Sequence, residues 1–421
     1  MKRLKILISA AETSSDAHAA QLLNALKLKL GSDFSVEAFG LGGPKLRAAG
    51  LEALVPAEKL LAMGFSEIIG ILPRALAAIR VLKKAASERP ADLAILVDYP
   101  DFHFQLAKHL KFASIPVIYF IPPKIWAWRK SRLKSLERYF SLVLCILPFE
   151  ESYYRKSKVP TKYVGSPLLD ELPLTLHRAE ARAQLSLSPE GLVLVMLPGS
   201  RTSELKLHLH LVLDSAKKIA EKLNSLGHLK DRKLQILLPL PVTASQTDVQ
   251  EKLNSWSREN PHPGIEVRVS VGDAHLCLLA ANVGIIKSGT STLEAAVLGC
   301  PHVLIYKPSR STQWIFERLI RYRGPVGLVN LVAGSAGKDG PDTPKPYLIR
   351  ELVMREARSE LVSKEVLRIL LDKNYREAME AGLREVRSKV RGNLPEVSPS
   401  EAAASEIVQW LSENGRLASL K

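Results

Sequence analysis

The chain has 421 residues, of which 46% are hydrophobic and 24% charged, and its formal net charge at pH 7 is +16. Two domains are expected because single hydrophobic cores stop growing at roughly 250–300 residues, and the composition excludes a disordered or membrane-spanning protein. The positive charge favours an acidic partner, and nucleic acid, an anionic bilayer surface and phosphorylated small molecules all satisfy it.

Short apolar runs alternate with helical patterns in the first half. The run Leu4–Ser9 follows a basic start that imitates a signal peptide, but Glu12 and Asp16 interrupt the apolar stretch, so a first strand is predicted. The runs DLAILV, PVIYF and SLVLCIL follow with helical patterns between them. This alternation predicts parallel strands covered by helices.

The same alternation restarts in the second half after a charged, loop-like stretch. The runs LVLVML, QILLPL, IEVRVSV, VGIIKSG and HVLIY are separated by helices predicted near 204–226 and 244–258. Two doubly wound α/β domains in tandem are therefore predicted. The expected parts are a first domain 1–170, a linker 171–190, a second domain 191–375 and a C-terminal helical segment 376–421.

The cysteines lie far apart in apolar surroundings without the spacing of metal ligands. These residues, Cys145, Cys277 and Cys300, are interpreted as core thiols of a cytoplasmic protein. No metal site and no cofactor are expected.

Ligands of open parallel sheets bind beyond the carboxyl ends of the strands. The motif LVLVMLPGSRTSEL places Gly199, Ser200 and Arg201 between a strand and a helix, where free helix N–H groups and a guanidinium suit phosphate oxygens. An ordinary turn with a surface arginine explains the motif equally well.

A second loop of this kind lies in VGIIKSGTSTLEAAVLGCP. Ser288, Gly289, Thr290 and Ser291 suit a diphosphate, and Glu294 suits ribose hydroxyls, although Ser291 with Glu294 also matches a capping box. Two such loops in one domain favour a nucleotide diphosphate. No G-x-x-x-x-G-K-[ST] indicates an NTPase and no G-x-G-x-x-G indicates NAD.

In the first domain, DLAILVDYPDFHF ends a strand at Asp98, a carboxylate suited to accept a proton from a hydroxyl. Asp101 is the competing candidate, and one of the two is expected to be structural because Asp before a helix is a common N-cap. Glu12, Thr13 and Ser14, after the first strand, are expected to line the same crevice.

Taken together, these motifs resemble the lipid-A-disaccharide synthase family of GT-B glycosyltransferases. The matching stretches run in order over about 1–335: AETSSD, MGFSEIIG, DYPDFH, IPPKIWAWRKSR, LPFEESYY, VGSPL, LPGSRTSEL, SGTSTLEA and LVNLVAG. The resemblance implies metal-independent, inverting transfer of 2,3-diacylglucosamine from UDP-2,3-diacylglucosamine to the 6-hydroxyl of 2,3-diacylglucosamine 1-phosphate.

The resemblance also implies roles for individual residues. Asp98 matches the carboxylate favoured as the base, and Glu204 and Asn330 match plausible further donor contacts. The residues in the motifs that hold UDP are Gly199, Ser200, Arg201, Ser288, Gly289, Thr290, Ser291 and Glu294.

Several positions depart from the family pattern near the expected catalytic crevice. They are Ala11 and Ser15 in place of glycines, His103 in place of asparagine, Ser166 in place of histidine, and Tyr347 and Arg350 in the Pro-Glu-Leu-Ile-Gln element. The alternatives are a relative that uses another UDP-sugar or lipid acceptor, a UDP-sugar epimerase, and a lipid or nucleotide binder without turnover.

The stretch PPKIWAWRKSRLK combines tryptophan with many cations, and residues 60–84 are apolar first and basic afterwards. We interpret both as facing an anionic lipid surface or the acceptor phosphate. The structural alternatives are that a tryptophan of the first stretch is anchored in the core and that residues 60–84 form an amphipathic core helix. Nucleic acid is disfavoured because no RNA-binding motif accompanies the patch. The residues expected to face the acceptor or membrane are Glu12, Thr13, Ser14, Met63, Phe65, Trp126, Trp128, Arg129, Lys130 and Arg132.

The expected partners are therefore UDP-diacylglucosamine, diacylglucosamine phosphate and the anionic surface of the inner membrane, to which a cytoplasmic enzyme would bind peripherally. Apolar faces of the C-terminal helices permit a homodimer without requiring one.

Overall fold

The computed structural model describes residues 2–60, 68–125, 132–155, 157–229, 232–242, 244–262, 264–308, 324–334, 346–392 and 396–420. The chain forms two compact units. The N-terminal unit comprises Met1–Glu171 with Lys389–Lys421, and the C-terminal unit comprises Leu172–Ser388. None of the helices in these described ranges is both long and apolar enough to cross a bilayer.

Strands and helices alternate along the N-terminal unit, as the sequence predicts. The elements are β1 (Lys2–Ala10), α1 (Thr13–Leu30), β2 (Phe34–Gly42), α2 (Pro44–Ala48), β3 (Leu51–Pro56), α3 (Ile68–Glu88), β4 (Leu93–Val97), α4 (Pro100–Phe112), β5 (Val117–Phe120), α5 (Arg132–Tyr139), β6 (Leu142–Cys145), α6 (Glu150–Tyr154) and β7 (Thr161–Tyr163). They form a seven-stranded parallel sheet in the order β3-β2-β1-β4-β5-β6-β7.

The C-terminal unit repeats this architecture. Its elements are α7 (Arg178–Gln184), β8 (Val193–Leu197), α8 (Thr202–Ser225), β9 (Leu234–Leu240), α9 (Gln246–Glu259), β10 (Ile265–Val271), α10 (Ala274–Ala280), β11 (Val283–Lys287), α11 (Thr290–Val297), β12 (His302–Tyr306), α12 (Leu328–Ala333), β13 (Glu351–Val353), α13 (Ser359–Leu371) and α14 (Lys373–Val390), whose last two residues belong to the N-terminal unit. Six parallel strands follow the order β10-β9-β8-β11-β12-β13. The two doubly wound α/β sheets are confirmed.

Central strands of both sheets are apolar along their whole length because helices cover both faces. All five residues of β4 and all five of β8 are buried. The period-two alternation of half-exposed strands is therefore absent, and the continuous apolar runs identify the strands in the sequence.

The last part of the chain differs from the predicted separate segment 376–421. Helix α15 (Pro399–Glu413) belongs to the N-terminal unit. Ile407 and Leu411 lie in the same buried cluster as Leu22 and Leu26 of α1. The burial of an apolar face on α1 therefore makes α15 part of the first core, whereas residues 376–388 of the predicted segment belong to the C-terminal unit.

The predicted linker 171–190 also contains regular structure. It includes α7, in which Ala181 is fully buried in a cluster with Cys277 and Leu278 of α10. The charged, loop-like composition that suggested a linker comes from the exposed face of this short helix.

Each sheet has one point at which the strand order reverses. In the N-terminal unit this point lies between β1 and β4, and in the C-terminal unit it lies between β8 and β11. Ligands of doubly wound sheets bind at the carboxyl ends of the strands at such points. Asp98 follows β4, and the PGSR loop (Pro198–Arg201) and the SGTS loop (Ser288–Ser291) follow β8 and β11.

Candidate active site

Asp98 has an uncommon backbone conformation at the reversal point of the first sheet. Its φ is 56°, and that of the next residue, Tyr99, is 46°, so two consecutive residues other than glycine are left-handed. Such residues are costly and cluster at functional sites. The main chain of Asp98 is held on both sides, since its N–H donates to Phe120 O at 3.1 Å and its C=O accepts from Tyr119 Oη at 3.2 Å.

The environment of Asp98 suits a proton acceptor. Burial raises the pKa of its carboxyl above the usual range, while the hydrogen bond from the Tyr99 N–H and the nearby side chains of Lys124 and His18 act in the opposite direction. A carboxylate with a raised pKa is a stronger base than an exposed one and remains available for proton transfer near neutral pH.

Asp101, the competing carboxylate, has a different environment. It lies in the first turn of α4, where Arg132 donates a hydrogen bond to it. Asp101 is exposed, whereas the Arg132 side chain is only 17% exposed and its guanidinium lies over the Phe104 ring at 5.5 Å. The pair is structural, and Arg132 is largely covered by α4 instead of presenting its charge as the sequence predicts.

The loop after β1 contributes exposed polar groups to the same edge of the sheet. Glu12 is the N-cap of α1, and Thr13 and Ser14 in the first turn are exposed. Ser15, at a position where the family has glycine, is buried and completes the cap: its hydroxyl accepts from Glu12 N–H and donates to Glu12 O, both at 2.9 Å. This departure therefore serves the helix start.

Other departures from the family pattern also have structural partners. Ala11 is buried in the core, and the Ser166 N–H donates to Val390 O at 2.8 Å. Arg350 contacts Glu365 at 3.5 Å, and Tyr347 is exposed. Met63, Phe65, Trp126, Trp128, Arg129 and Lys130, which were predicted to face the acceptor or membrane, lie outside the described residues.

In the C-terminal unit, Glu204 determines the shape of the PGSR loop. Its carboxylate accepts from the Ser200 N–H at 3.0 Å and from Lys287 Nζ at 2.7 Å. Gly199 has a φ of 136°, and a Cβ there would lie 2.4 Å from Glu204 Cβ. Glu204 therefore supports the loop from behind instead of offering a free carboxylate to a ligand.

Arg201 is exposed at the N-cap of α8. Among the described residues its guanidinium has no hydrogen-bonding or ion-pairing partner, so its donors are available to an anion. The adjacent N–H groups at the start of α8 add the positive end of a long helix. An exposed guanidinium therefore lies beside the free N–H groups of a helix start.

The SGTS loop begins the shorter helix α11. Gly289 is its N-cap, and the Thr292 hydroxyl donates to Gly289 O at 2.8 Å. Ser291 is therefore not the N-cap, and the capping box considered for Ser291 with Glu294 does not form. Thr290 is exposed, and Ser288 and Ser291 are partly exposed beside it.

Glu294 has a partner that the sequence did not reveal. Its Oε2 lies 3.4 Å from Nε2 of His275, in the first turn of α10, and both side chains are partly exposed. The contact joins the helices that follow β10 and β11. No short-range pattern predicts it because nineteen positions separate the two residues.

His208 is a second residue that the sequence analysis missed. It is buried, its Nδ1 donates to Glu204 O at 2.8 Å, and its Nε2 accepts from the Lys307 N–H at 2.9 Å. Burial lowers the pKa of this histidine, which agrees with a neutral ring. These two hydrogen bonds tie the second turn of α8 to the end of β12. His208 lies four positions after Glu204, on the same face of the helix, and this spacing is the one sequence signal that relates the two residues.

Asn330, predicted as a donor contact, is fully buried and bonded within the protein. Its amide nitrogen donates to Ile349 O at 2.9 Å and to Glu351 Oε1 at 2.8 Å, and its oxygen accepts from the Ile349 N–H at 3.0 Å. Glu351 also accepts from the N–H groups of Val326 and Gly327. Asn330 therefore holds the start of α12 against β13.

Comparisons with known proteins bear on the fold and on the family. Two solved structures share the fold: CalG4, the calicheamicin glycosyltransferase (TM-score 0.56, 14% identity, 98% of this chain and 99% of that one), and UDP-GlcNAc 2-epimerase from Neisseria meningitidis bound to UDP-GlcNAc (TM-score 0.55, 12% identity, 98% and 100%). At these identities the likeness shows the fold alone, which is GT-B.

Sequence comparison identifies the family. A lipid-A-disaccharide synthase of Anaeromyxobacter dehalogenans (strain 2CP-C) is 38% identical over 387 residues, which cover 92% of this chain and 93% of the relative. The family model of lipid-A-disaccharide synthetase, LpxB, matches residues 6–396, which include both reversal points and the residues at them. The chain thus belongs to the lipid-A-disaccharide synthase family of glycosyltransferases.

Proposed function

We propose that this glycosyltransferase moves 2,3-diacylglucosamine from its UDP derivative to the 6-hydroxyl of 2,3-diacylglucosamine 1-phosphate, with Asp98 as the base. Family membership supports a UDP-sugar donor and a sugar-phosphate acceptor. The observation that carries the assignment of the base is the partly buried Asp98 carboxylate, which is held on a left-handed turn at the reversal point of the first sheet.

The proposed step is an inverting displacement. The Asp98 carboxylate takes the proton of the 6-hydroxyl while the oxygen of that hydroxyl forms a bond to C1 of the donor sugar. The bond between C1 and the diphosphate oxygen breaks on the opposite face, and UDP leaves with the electron pair. Arg201 and the N–H groups at the starts of α8 and α11 would stabilise the charge on the departing diphosphate.

Asp98→Asn tests the base. Asparagine tolerates the left-handed conformation, so the variant removes the carboxylate and spares the turn. We expect turnover to fall by about a hundredfold or more, with UDP affinity retained. The readouts are lipid products by mass spectrometry and released UDP. If Asp101→Asn lost more turnover than Asp98→Asn, the base would be Asp101.

Arg201→Ala tests the diphosphate site. Loss of a charge-assisted contact should weaken UDP binding by about tenfold or more in calorimetry. Arg201→Lys keeps the charge but loses the planar fork of the guanidinium, so its UDP affinity should lie between those of Arg201→Ala and the unmodified protein. Unchanged UDP affinity in Arg201→Ala would contradict the assignment of the diphosphate site to this loop.

Product analysis separates this reaction from that of an epimerase with a similar fold. Incubation with UDP-2,3-diacylglucosamine and 2,3-diacylglucosamine 1-phosphate should yield a disaccharide phosphate and an equal amount of UDP. A rearranged UDP-sugar without a lipid disaccharide would contradict the proposal.

We further propose that α3 contacts the anionic surface of the inner membrane from the cytoplasmic side. Its exposed residues combine apolar side chains, Leu76 (38% exposed) and Val81 (43%), with Arg74, Arg80 and Lys84. This combination is typical of helices that lie in the bilayer interface.

Vesicle co-sedimentation tests the membrane contact. The protein should bind vesicles of phosphatidylcholine with phosphatidylglycerol better than phosphatidylcholine alone, and Leu76→Asp with Val81→Asp should reduce the binding. Leu28→Asp is the matched control, because Leu28 is an exposed leucine (79%) on α1 of the same unit. Equal loss in the control would refute a role for α3.

A homodimer stays a prediction, to be tested by sedimentation velocity. The part of its motivation that rests on α15 is weakened, since Ile407 and Leu411 pack against α1 of the same chain.

A further inference from the structure

His103 connects two strands at the reversal point of the first sheet. The ring is fully buried, with Nδ1 2.5 Å from Asp98 O and Nε2 2.8 Å from Ser9 Oγ. Because a carbonyl oxygen only accepts, the hydrogen lies on Nδ1. Nε2 of the neutral ring is then an acceptor, and the Ser9 hydroxyl donates to it.

The Asp98 carbonyl therefore accepts two hydrogen bonds, from the His103 ring and from the Tyr119 hydroxyl. This carbonyl belongs to the peptide between two left-handed residues, Asp98 and Tyr99. Strained conformations persist only where the surroundings over-determine them. Loss of the imidazole would leave the buried carbonyl with a single donor and release one side of the turn.

Burial keeps this arrangement in one protonation state. It lowers the pKa of His103 to about 4, against the hydrogen bond to Asp98 O, which acts in the opposite direction. The ring is thus neutral through the physiological range, and Nε2 stays an acceptor for Ser9.

We propose that His103 is a positioning residue that orients the Asp98 carboxylate by holding its main-chain carbonyl and anchoring it to Ser9 of β1. This inference rests on the proposed function, since it takes Asp98 as the base. His103 itself does not reach the substrate in this role.

Three variants test the proposal. His103→Leu removes both hydrogen bonds at similar volume, and His103→Asn restores a donor near the position of Nδ1. His302→Leu is the matched control: His302 is also fully buried, its Nδ1 donates to Cys300 O at 2.8 Å, and burial lowers its pKa to about 4, but it begins β12 in the other unit.

The readouts are kcat, KM and the acidic limb of the pH profile of kcat. A displacement of about 1 Å at a reacting group can cost a hundredfold, so kcat of His103→Leu should fall by about ten- to a hundredfold with KM for both substrates nearly unchanged. The acidic limb should move to lower pH, because a released turn lets the Asp98 carboxylate approach solvent. His103→Asn should have a kcat close to that of the unmodified protein. His302→Leu should be less stable, with kcat and the acidic limb of its pH profile unchanged.

A folded His103→Leu with the kcat and acidic limb of His302→Leu would overturn the proposal. Should His103→Leu fail to fold, Ser9→Ala decides, since it removes only the Nε2 partner: an unchanged kcat and limb would overturn the proposal, and a smaller shift in the same direction would support it. Asp98→Asn, measured in parallel, distinguishes a failure of the proposed function from a failure of the positioning role. If it keeps turnover, the base itself is wrong; if it loses turnover while the His103 variants do not, only the positioning role is wrong.

Discussion

Lys287 Nζ donates a hydrogen bond to Glu204 Oε1 at 2.7 Å and so joins the end of β11 to the first turn of α8. The other oxygen of the same carboxylate accepts from the Ser200 N–H. One side chain therefore fixes the PGSR loop relative to the strand that leads into the SGTS loop. The relative position of the PGSR and SGTS loops, which we propose hold the diphosphate, depends on this pair.

Glu204→Gln should loosen both loops. Burial raises the pKa of the Glu204 carboxyl, but Lys287 and the N–H groups of Ser200 and Arg201 outweigh it and the pKa is lowered. A lowered pKa contributes stability above the usual value of 4.5 that is lost as the pH falls through the folded-state pKa. We expect a loss of about 1–2 kcal/mol at pH 7 that shrinks in acid, and UDP binding weakened by about three- to tenfold.

The control for this prediction is Glu360→Gln. Glu360 pairs with Lys218 at 3.1 Å on an exposed surface of the same unit. Exposed pairs contribute little, so urea unfolding and UDP calorimetry should hardly change. Equal effects in the two variants would contradict a special role for Glu204.

Asp98→Asn should raise stability while it removes turnover. The raised pKa of Asp98 means that the folded protein binds this proton more tightly than the unfolded chain, so stability falls as the pH rises from 3.8 through the folded-state pKa. Asparagine has no such charge. Urea unfolding at a series of pH values should show the variant more stable at pH 7, with the difference vanishing below the usual pKa. A variant that is less stable at neutral pH would show that burial is not the dominant influence on Asp98.

Gly199→Ala should damage the PGSR loop directly. The new Cβ would lie 2.4 Å from Glu204 Cβ on a backbone with a φ of 136°. We expect a stability loss of about 1–3 kcal/mol and UDP binding weakened by about tenfold. Gly227→Ala is the control, because Gly227 also has a positive φ but no atom within 4 Å of a Cβ. It should show only the backbone cost of about 1 kcal/mol and unchanged UDP affinity.

Asn330→Asp should unfold the protein more easily without a direct effect on the donor. The substitution replaces the amide that donates to Ile349 O and Glu351 Oε1 by a buried carboxylate facing another carboxylate. A loss of about 3 kcal/mol or more is expected in urea unfolding. The folded fraction should retain its UDP affinity, which calorimetry at low temperature would show. Asn254→Asp, at an exposed position on α9, is the control for the added charge.

The sequence was informative wherever a local rule applied. Asp98, Gly199 and Ser288 follow apolar runs, and the carboxyl-end rule for parallel sheets places such residues at the reversal points. Roles that depend on distant partners were not predictable in this way. Glu204 pairs with a lysine 83 positions away, and Arg132 with an aspartate 31 positions away. In the structure both side chains have partners within the protein that the local sequence does not indicate.

The left-handed turn at Asp98 was also out of reach of local rules. Pro100 disfavours the right-handed helical region for Tyr99, but nothing nearby indicates that Asp98 is left-handed as well. The turn depends on Ser9, His103 and Tyr119, which come from three different elements. Pairing at this range appears only once the sheet has formed.

Because α15 packs on α1, the N-terminal unit is formed by two segments that are separated in the sequence by the whole C-terminal unit. Ile407 and Leu411 complete the core that Leu22 and Leu26 begin. During synthesis on the ribosome, the whole C-terminal unit emerges before α15, the helix that completes the core of the N-terminal unit. An expression fragment cut at Glu171 would expose the apolar face of α1, and the two units exchange with those of a relative only if residues 389–421 travel with the N-terminal piece.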